Sequence, residues 1–297
     1  MTLGAALSLA AVVVGTWNGE WFPSGRAEHR GTPQQEARTI AAAGDMFREA
    51  LAKADPAGTN DLILCFNEMR GPKAAAELCA ATGRTNLTVA IVTGYRRRDR
   101  FDMQQDAIAT TLPVAVANWS LWKHSKGVYP PRGYAHAEIV LSPAVTATVY
   151  AVHLKSNYGA TTAEIAESNR RKRTVAIRQL IDQEKPKRGK YRAPVVIAGD
   201  FNADAWKDEF ADEEIFRLLA EAKFANPVGE IPEFKRVTYP GHGKFGGSAL
   251  DYVYLRGLKA VGAPWIYPAG GISDHNPVFV TVVGGSPIFE AWKSPRP

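Results

Sequence analysis

Apolar runs that break off at polar residues recur along the chain. "AVVVGTWN" (11–18) is a β-rich run ending at Asn18, and "DLILCFNE" (61–68) is a second, ending at Glu68. "TATVYAVHLKSN" (146–157) alternates strongly and carries His153, while "PVVIAGDFN" (194–202) closes on Asp200 and Asn202. "SALDYVYL" (248–255) holds Asp251 inside a strand pattern, and "PVFVTVV" (277–283) follows Asp274 and His275. Further strand patterns lie at 87–95, 105–122 and 134–142, the last two joined by a Gly/Pro-rich loop at 127–133. Helical spacing appears between them. Residues 33–54 repeat Ile40, Met46, Phe47 and Leu51 behind the start signal Thr32-Pro33. Residues 73–82 read as a helix stopping at Gly83, and 212–222 as another. The longest pattern, 161–184, sets Ile165, Val175, Ile177, Leu180 and Ile181 on an inward face. Strands and helices thus alternate loosely, with no internal repeat, low-complexity tract or clean linker. The expected organisation is one domain over 11–285, with 1–10 a remnant of a signal segment and 286–297 a Pro-rich tail.

Length and composition agree with a folded domain with a sizeable core: 297 residues, 45% hydrophobic and 22% charged. The net charge of +6 suits an anionic partner such as nucleic acid, a phosphate ester or an anionic membrane, and common basic proteins share it. The basic residues cluster in "YRRRDR" (95–100), "NRRKR" (169–173) and "KPKRGKYR" (185–192), where solvated loops and helix faces are the ordinary explanation. Cys65 and Cys79 have no zinc-ligand spacing. Cys65 reads as a small buried apolar residue, and a disulfide to Cys79 is not inferable. The uncharged opening "MTLGAALSLAAVVVG" resembles the apolar part of a signal peptide without its basic leader, so export to a secreted or periplasmic location is the expectation. No run reaches about 18 uninterrupted apolar residues, so no membrane span is expected.

Each polar strand end has an ordinary explanation when taken alone. Asn18 and Glu68 suit loops, His153 suits a satisfied core position, and Asp200 with Asn202 suits an Asx turn. Asp251 is harder to dismiss, because a carboxylate inside a strand needs a buried partner. Together they suit one rigid cleft lined by hard oxygen donors, which favours Mg²⁺, Mn²⁺ or Ca²⁺ over a structural zinc. Two histidines with several carboxylates suit phosphate-ester hydrolysis, with Asp251 orienting a histidine.

The motifs "TWNGEWF", "FNEMRGP", "VHLKSNYG", "AGDFNAD", "LDYVYL" and "SDHNPV" occur in the order found in the endonuclease/exonuclease/phosphatase (deoxyribonuclease-I-like) superfamily, and the chain resembles that group across 11–283. The resemblance implies an α/β (α+β) fold, a four-layer sandwich of two packed mixed β-sheets flanked by helices. It implies Glu68 as principal metal ligand with Asp274 and Asn18, and Mg²⁺, Mn²⁺ or Ca²⁺ as cofactor. It further implies Asn18, Arg132 and Asn157 at the phosphate, His153 as a phosphate contact and acid, and Asn202 as phosphate binder. Asp200 would act on the nucleophile or leaving group, and His275, paired with Asp251, would be the general base. "FNEM" departs from the family pattern, with Asn67 where glutamine is usual, and little effect on metal binding is expected. "HLKS" (153–156) points away from abasic-site endonucleases.

The function expected first is a divalent-metal-dependent nuclease that hydrolyses nucleic-acid phosphodiesters, with no motif that separates DNA from RNA. A phosphatase or a phospholipid- or sphingomyelin-type phosphodiesterase uses the same site, and "NWSLW" (118–122) is the one candidate for lipid contact, with core packing as its ordinary role. A non-catalytic nucleic-acid-binding module is disfavoured by retention of Glu68, Asp200, Asn202, Asp274 and His275. The expected partner is nucleic acid or another phosphate ester, and the expected state is a monomer.

Overall fold

The computed structural model describes residues 11–24, 31–97, 100–101, 104–185, 193–241 and 246–284. The proposed signal remnant, the C-terminal tail and most of the 185–192 basic cluster lie outside the described residues. The elements run β1 (Val12–Phe22), α1 (Pro33–Ala54), β2 (Asp61–Met69), α2 (Pro72–Ala81), β3 (Thr88–Val92), β4 (Arg96–Arg97), β5 (Arg100–Phe101), β6 (Gln105–Thr110), β7 (Val114–Leu121), β8 (Gly133–Ser142) and β9 (Val145–His153). There follow α3 (Ala163–Gln183), β10 (Val195–Asp200), α4 (Glu214–Glu221), β11 (Asp251–Arg256), β12 (Leu258–Ala260), β13 (Trp265–Ile266) and β14 (Val278–Gly284).

Two mixed sheets form. One has the order β12-β14-β1-β2-β6-β3, with β13 also on β14, and its β1–β2 pair is parallel. The other has the order β11-β10-β9-β8-β7, with β9–β10 parallel. Side-chain alternation sorts each strand into two cores. Val12, Val14, Ile63, Cys65, Val149, Ala151, Val196, Ala198, Val253 and Leu255 fill the space between the sheets. Their neighbours of opposite parity face the helices. Val13, Trp17, Leu62, Leu64 and Phe66 pack with α1 and α2, while Tyr150, Val152, Val195, Ile197, Tyr252 and Tyr254 pack with α3 and α4. The layers are therefore helix, sheet, sheet, helix.

Local signals explain the helix limits. Thr32 caps α1 through a capping box with Gln35, with Pro33 in the first turn. Thr162 caps α3. The inward face of α3 differs from the periodicity reading. Ile165 is 41% exposed, whereas Asn169, Arg173, Ala176, Ile177 and Leu180 are buried. Arg173 takes an inward position because Glu213, carrying its Oε2 3.2 Å from Arg173 Nε, neutralises it, and the Lys155 carbonyl accepts from its Nη1 at 2.6 Å. The 105–122 pattern also divides. β6 and β7 belong to different sheets, and Thr111–Pro113 carries the chain across. In "NWSLW", Trp122 is buried, Leu121 is exposed and Trp119 sets one edge against Tyr95. Both cysteines are free and buried.

A polar seam ties the sheets where the inter-sheet core ends. Asn67 shares the parity of Ile63 and Cys65, so its side chain enters the seam. Its Oδ1 accepts the Asp200 N–H at 2.9 Å, and its Nδ2 donates to Asp106 Oδ1 at 2.7 Å. Asp106 also accepts from the Tyr95 hydroxyl at 2.9 Å. Burial pushes the Asp106 carboxyl from 3.8 up to about 7, against the opposing hydrogen bonds from Asn67 and Tyr95.

Gly199 adjoins this seam with φ +147, and a Cβ there would meet the Val152 carbonyl oxygen at 1.9 Å. Gly199→Ala is expected to cost at least about 2 kcal/mol by chemical denaturation, because backbone must move. An unchanged midpoint would contradict the close approach of β9 and β10. For Asp106 the folded value exceeds the unfolded one, so its stabilising contribution is complete below about pH 4 and lost as pH rises through about 7. Asp106→Asn, always neutral, is expected to gain on wild type by a few kcal/mol between pH 5 and pH 8. A stability difference independent of pH would show that Asp106 is not the titrating group.

Candidate active site

The site lies where both sheets end on the same side. Asn18 continues the inward parity of Val12 and Val14, His153 that of Val149 and Ala151, and Asp200 that of Val196 and Ala198. Asp251 opens the antiparallel β11 directly opposite Asp200, and His153 lies opposite Asp200 on the other side. Glu68 has the parity of Phe66 and would face the helices in a regular strand. A register shift between Phe66 and Met69, with Glu68 at φ +58, turns its carboxylate into the seam.

Asn18 holds two of the carboxylates. Its Nδ2 donates to Asp200 Oδ2 at 3.0 Å and lies 3.4 Å from Glu68 Oε1, while its Oδ1 accepts the Glu20 N–H at 3.0 Å. The Asx turn is real and belongs to the site. Asp200 Oδ1 accepts the Asn202 N–H at 2.8 Å, and Asn202 Nδ2 donates to Asp200 Oδ2 at 2.9 Å and the Leu154 carbonyl at 3.2 Å. Asn202 sits at φ +52, a left-handed conformation that asparagine tolerates.

His275 faces the same carboxylates from the loop before β14. Its Nδ1 lies 2.7 Å from Asp251 Oδ2, and its Nε2 lies 3.9 Å from Asp200 Oδ2 and 4.0 Å from Asp274 Oδ1. The loop is clamped by backbone. Trp17 Nε1 donates to the His275 carbonyl at 3.0 Å, and Ser273 Oγ donates to the Asn18 carbonyl at 2.7 Å and accepts the His275 N–H at 3.0 Å. Thr238 Oγ1 accepts the Asp251 N–H at 3.0 Å, and the Tyr239 ring lies 5.3 Å from the imidazole.

Burial disfavours a charged His275, but Asp251 and Asp200 outweigh it and hold the imidazole up to about 10. Burial raises the Asp200 carboxyl, with His275 opposing. Burial also raises Glu68, opposed first by Arg132. His153 goes the other way. Burial and the charge of Arg132 hold it well below 6.5, so it is a neutral ring 3.6 Å from both Glu68 Oε1 and Asp200 Oδ2.

Arg132 reaches the site from the end of the β7–β8 loop, at φ +64, with Nη1 donating to Gln104 Oε1 at 2.6 Å. Its charge bears on Glu68, Asp106 and His153. Asn157 is not drawn into the cluster. Its Oδ1 accepts from Arg173 at 3.2 Å, which ties it to α3 instead. The sequence marks Asn67 only as a departure from the family pattern, and does not single out Asp106, Gln104, Ser273, Thr238 or Glu20, whose carboxylate accepts the Asp274 N–H at 3.2 Å. Asp106 was discoverable by the argument that singled out Asp251, since it too interrupts an apolar strand.

The donor set suits a hard cation. Glu68 Oε2 and Asp251 Oδ1 are buried without a hydrogen-bond partner, and Glu68 feels the negative charge of Asp274. Oxygens of Asp200 and Asp251 and a His275 nitrogen also lie within 4.8 Å of one another. The 2.7 Å contact already joins two of those three groups, so Glu68 offers the freer ligand.

The sequence model of the Endonuclease/Exonuclease/phosphatase family matches residues 15–275. No curated protein matches the sequence significantly. Among solved structures, an endonuclease/exonuclease/phosphatase family protein from Leptotrichia buccalis C-1013-b is similar at 12% identity and TM-score 0.61, over 91% of this chain and 99% of that one. A D. rerio TDP2 humanized by 14 mutations is similar at 14% identity and TM-score 0.59, over 92% and 98%. SmcL is similar at 14% identity and TM-score 0.57, over 91% and 98%. At such identities the likeness is one of fold. The family match over most of the chain goes further: this protein belongs to the Endonuclease/Exonuclease/phosphatase family of phosphoester hydrolases.

Proposed function

We propose that this chain is a divalent-metal-dependent phosphodiesterase acting on nucleic acid. The observation that carries the reading is the 2.7 Å contact of His275 with Asp251, set beside a buried Glu68 oxygen that lacks a hydrogen-bond partner. Glu68, with Asp274 and Asn18 beside it, would hold Mg²⁺, Mn²⁺ or Ca²⁺, which when bound neutralises phosphoryl oxygens. Asp251 fixes the His275 ring so that Nε2 points into the cleft; with the carboxylate charge that keeps the imidazole protonated offset by a cation held at Glu68, Nε2 would be free to take a proton from water. Asp200, with a carboxyl raised by burial, positions the nucleophile or returns a proton to the leaving oxygen. Neutral His153 contacts the phosphate, the Asn202 amide reaches it by giving up its 3.2 Å hydrogen bond to the Leu154 carbonyl, and Arg132 adds positive charge. Asn18 orients Glu68 and Asp200 through its amide. The basic balance of the chain supports a polyanionic substrate over a small neutral one.

His275→Gln is expected to lower kcat about 10²–10⁴-fold on bis(p-nitrophenyl) phosphate with an unchanged circular-dichroism melt. Wild-type turnover in that variant would remove His275 as the base. EDTA is expected to abolish turnover, and Glu68→Gln to raise the Mg²⁺ or Mn²⁺ concentration needed to restore it. Metal response equal to wild type would place the ion elsewhere. A substrate panel decides the class. Cleavage of plasmid and single-stranded DNA or RNA supports the nuclease reading. Turnover confined to p-nitrophenyl phosphate or to phosphatidylcholine or sphingomyelin would replace it with the phosphatase or phospholipid reading.

A further inference from the structure

The "NRRKR" cluster divides in the folded chain. Arg170 pairs with Glu167 and with Asp212, whose Oδ2 lies 3.0 Å away, and Arg173 is buried against Glu213. Arg171 and Lys172 have no carboxylate at ion-pair distance among the described residues, and they project from α3 toward the β7–β8 loop. Between loop and helix lies a cavity of about 360 Å³ lined by Gly127, Val128, Tyr129, Ser168, Arg171 and Lys172.

The loop is built to hold its shape. Ser125 and Val128 exchange backbone hydrogen bonds at 3.0 and 2.9 Å, closing a turn with Lys126 at φ +48 and Gly127 at φ +77. The Gln179 carboxamide accepts the Lys123 N–H at 2.9 Å and donates to the Lys123 carbonyl at 2.8 Å, which fastens the loop to α3. On this frame the Tyr129 ring is 64% exposed and stacks on His124, with centroids 5.2 Å apart and planes at 27°. An exposed aromatic held rigidly beside two unpaired cations costs little ordering on binding. The cationic line leads back to the active site. Lys155, two residues after His153, feels the charges of both Lys172 and Arg132.

We propose that this cavity is a single-strand subsite, in which an unpaired base stacks on the Tyr129–His124 pair and the adjoining backbone phosphates lie on Arg171 and Lys172. The inference deepens the nuclease reading and rests on it for the direction of the strand, from the Arg132 end past Lys155 to Tyr129. Stacking on an exposed ring requires a free base face, which a duplex hides. The loop "KHSKGVY" (123–129) is polar and cationic apart from Val128 and Tyr129, which suits a nucleic-acid strand better than the apolar interior of a lipid leaflet.

Binding of 5′-fluorescein-labelled dT12 in EDTA, read by anisotropy, separates recognition from turnover. Tyr129→Ala is expected to weaken binding about 10-fold, Tyr129→Phe to retain it, and a matching duplex to bind more weakly than dT12. Arg171→Ala with Lys172→Ala is expected to reduce the slope of log K against log salt by about 1.4. Turnover of bis(p-nitrophenyl) phosphate, which has no base, is expected to be unchanged in all these variants. Equal dT12 affinity in Tyr129→Ala and wild type overturns the subsite, as does loss of phosphatidylserine-vesicle binding with dT12 binding intact. If dT12 binds through Tyr129 but is never cleaved with metal present, the subsite stands and the nuclease reading falls.

Discussion

The hydrogen bond from the Asp200 N–H to the Asn67 carboxamide, 2.9 Å across the two sheets, is the contact on which the site's geometry depends. It joins the end of β10 to the end of β2 at the point where apolar inter-sheet packing gives way to polar groups. Asn67 is itself fixed by Asp106, and Asp106 by Tyr95. A buried amide and carboxylate satisfied in this way leave little freedom for the strand ends they join. The carboxylates of Glu68 and Asp200 are therefore held in register by backbone on both sides, with Asn18 bridging their side chains.

The electrostatics follow from that confinement. Several carboxylates share a small, buried volume, and burial raises Glu68, Asp106 and Asp200 together. His275 answers by carrying positive charge against Asp251 and Asp200, and Arg132 by lowering Glu68. His153, fully buried and also crowded by Arg132, stays neutral. Two histidines of the same cluster thus differ in charge: at His275 the 2.7 Å contact with Asp251 outweighs burial, whereas at His153 burial, helped by the charge of Arg132, prevails although Glu68 and Asp200 lie 3.6 Å away. That division is what distinguishes a proton-handling ring from a hydrogen-bonding one.

Beyond the cluster, α3 serves two surfaces. Arg173 turns inward, where it holds Asn157 and the Lys155 carbonyl and so shapes the strand end after His153. Arg171 and Lys172 turn toward the β7–β8 loop and carry the positive potential outward. One basic run on a helix of 3.6 residues per turn necessarily faces several ways, and the fold gives the inward-facing part a structural use and the outward-facing part an open one.

Strand and helix identity was legible in the chain because alternation and helical spacing are local properties. So were Asn18, His153, Asp200, Asp251 and His275 as polar residues that end or interrupt apolar runs: each but Asp251 has an ordinary explanation alone, and it is their recurrence that points to one cleft. Other features depended on distant contacts. Glu68 enters the seam through a bulge and a left-handed backbone that its parity would not suggest. Asn157 is claimed by Arg173, and Ile165 is left in solvent because α3 turns Arg173 inward to meet Glu213. The assignment of β6 and β7 to separate sheets, and the pairing of Asn67 with Asp106, likewise required the packed sheets. Periodicity fixes which residues share a face. Which faces meet is decided by burial summed over the whole domain, and that sum exists only in the tertiary structure.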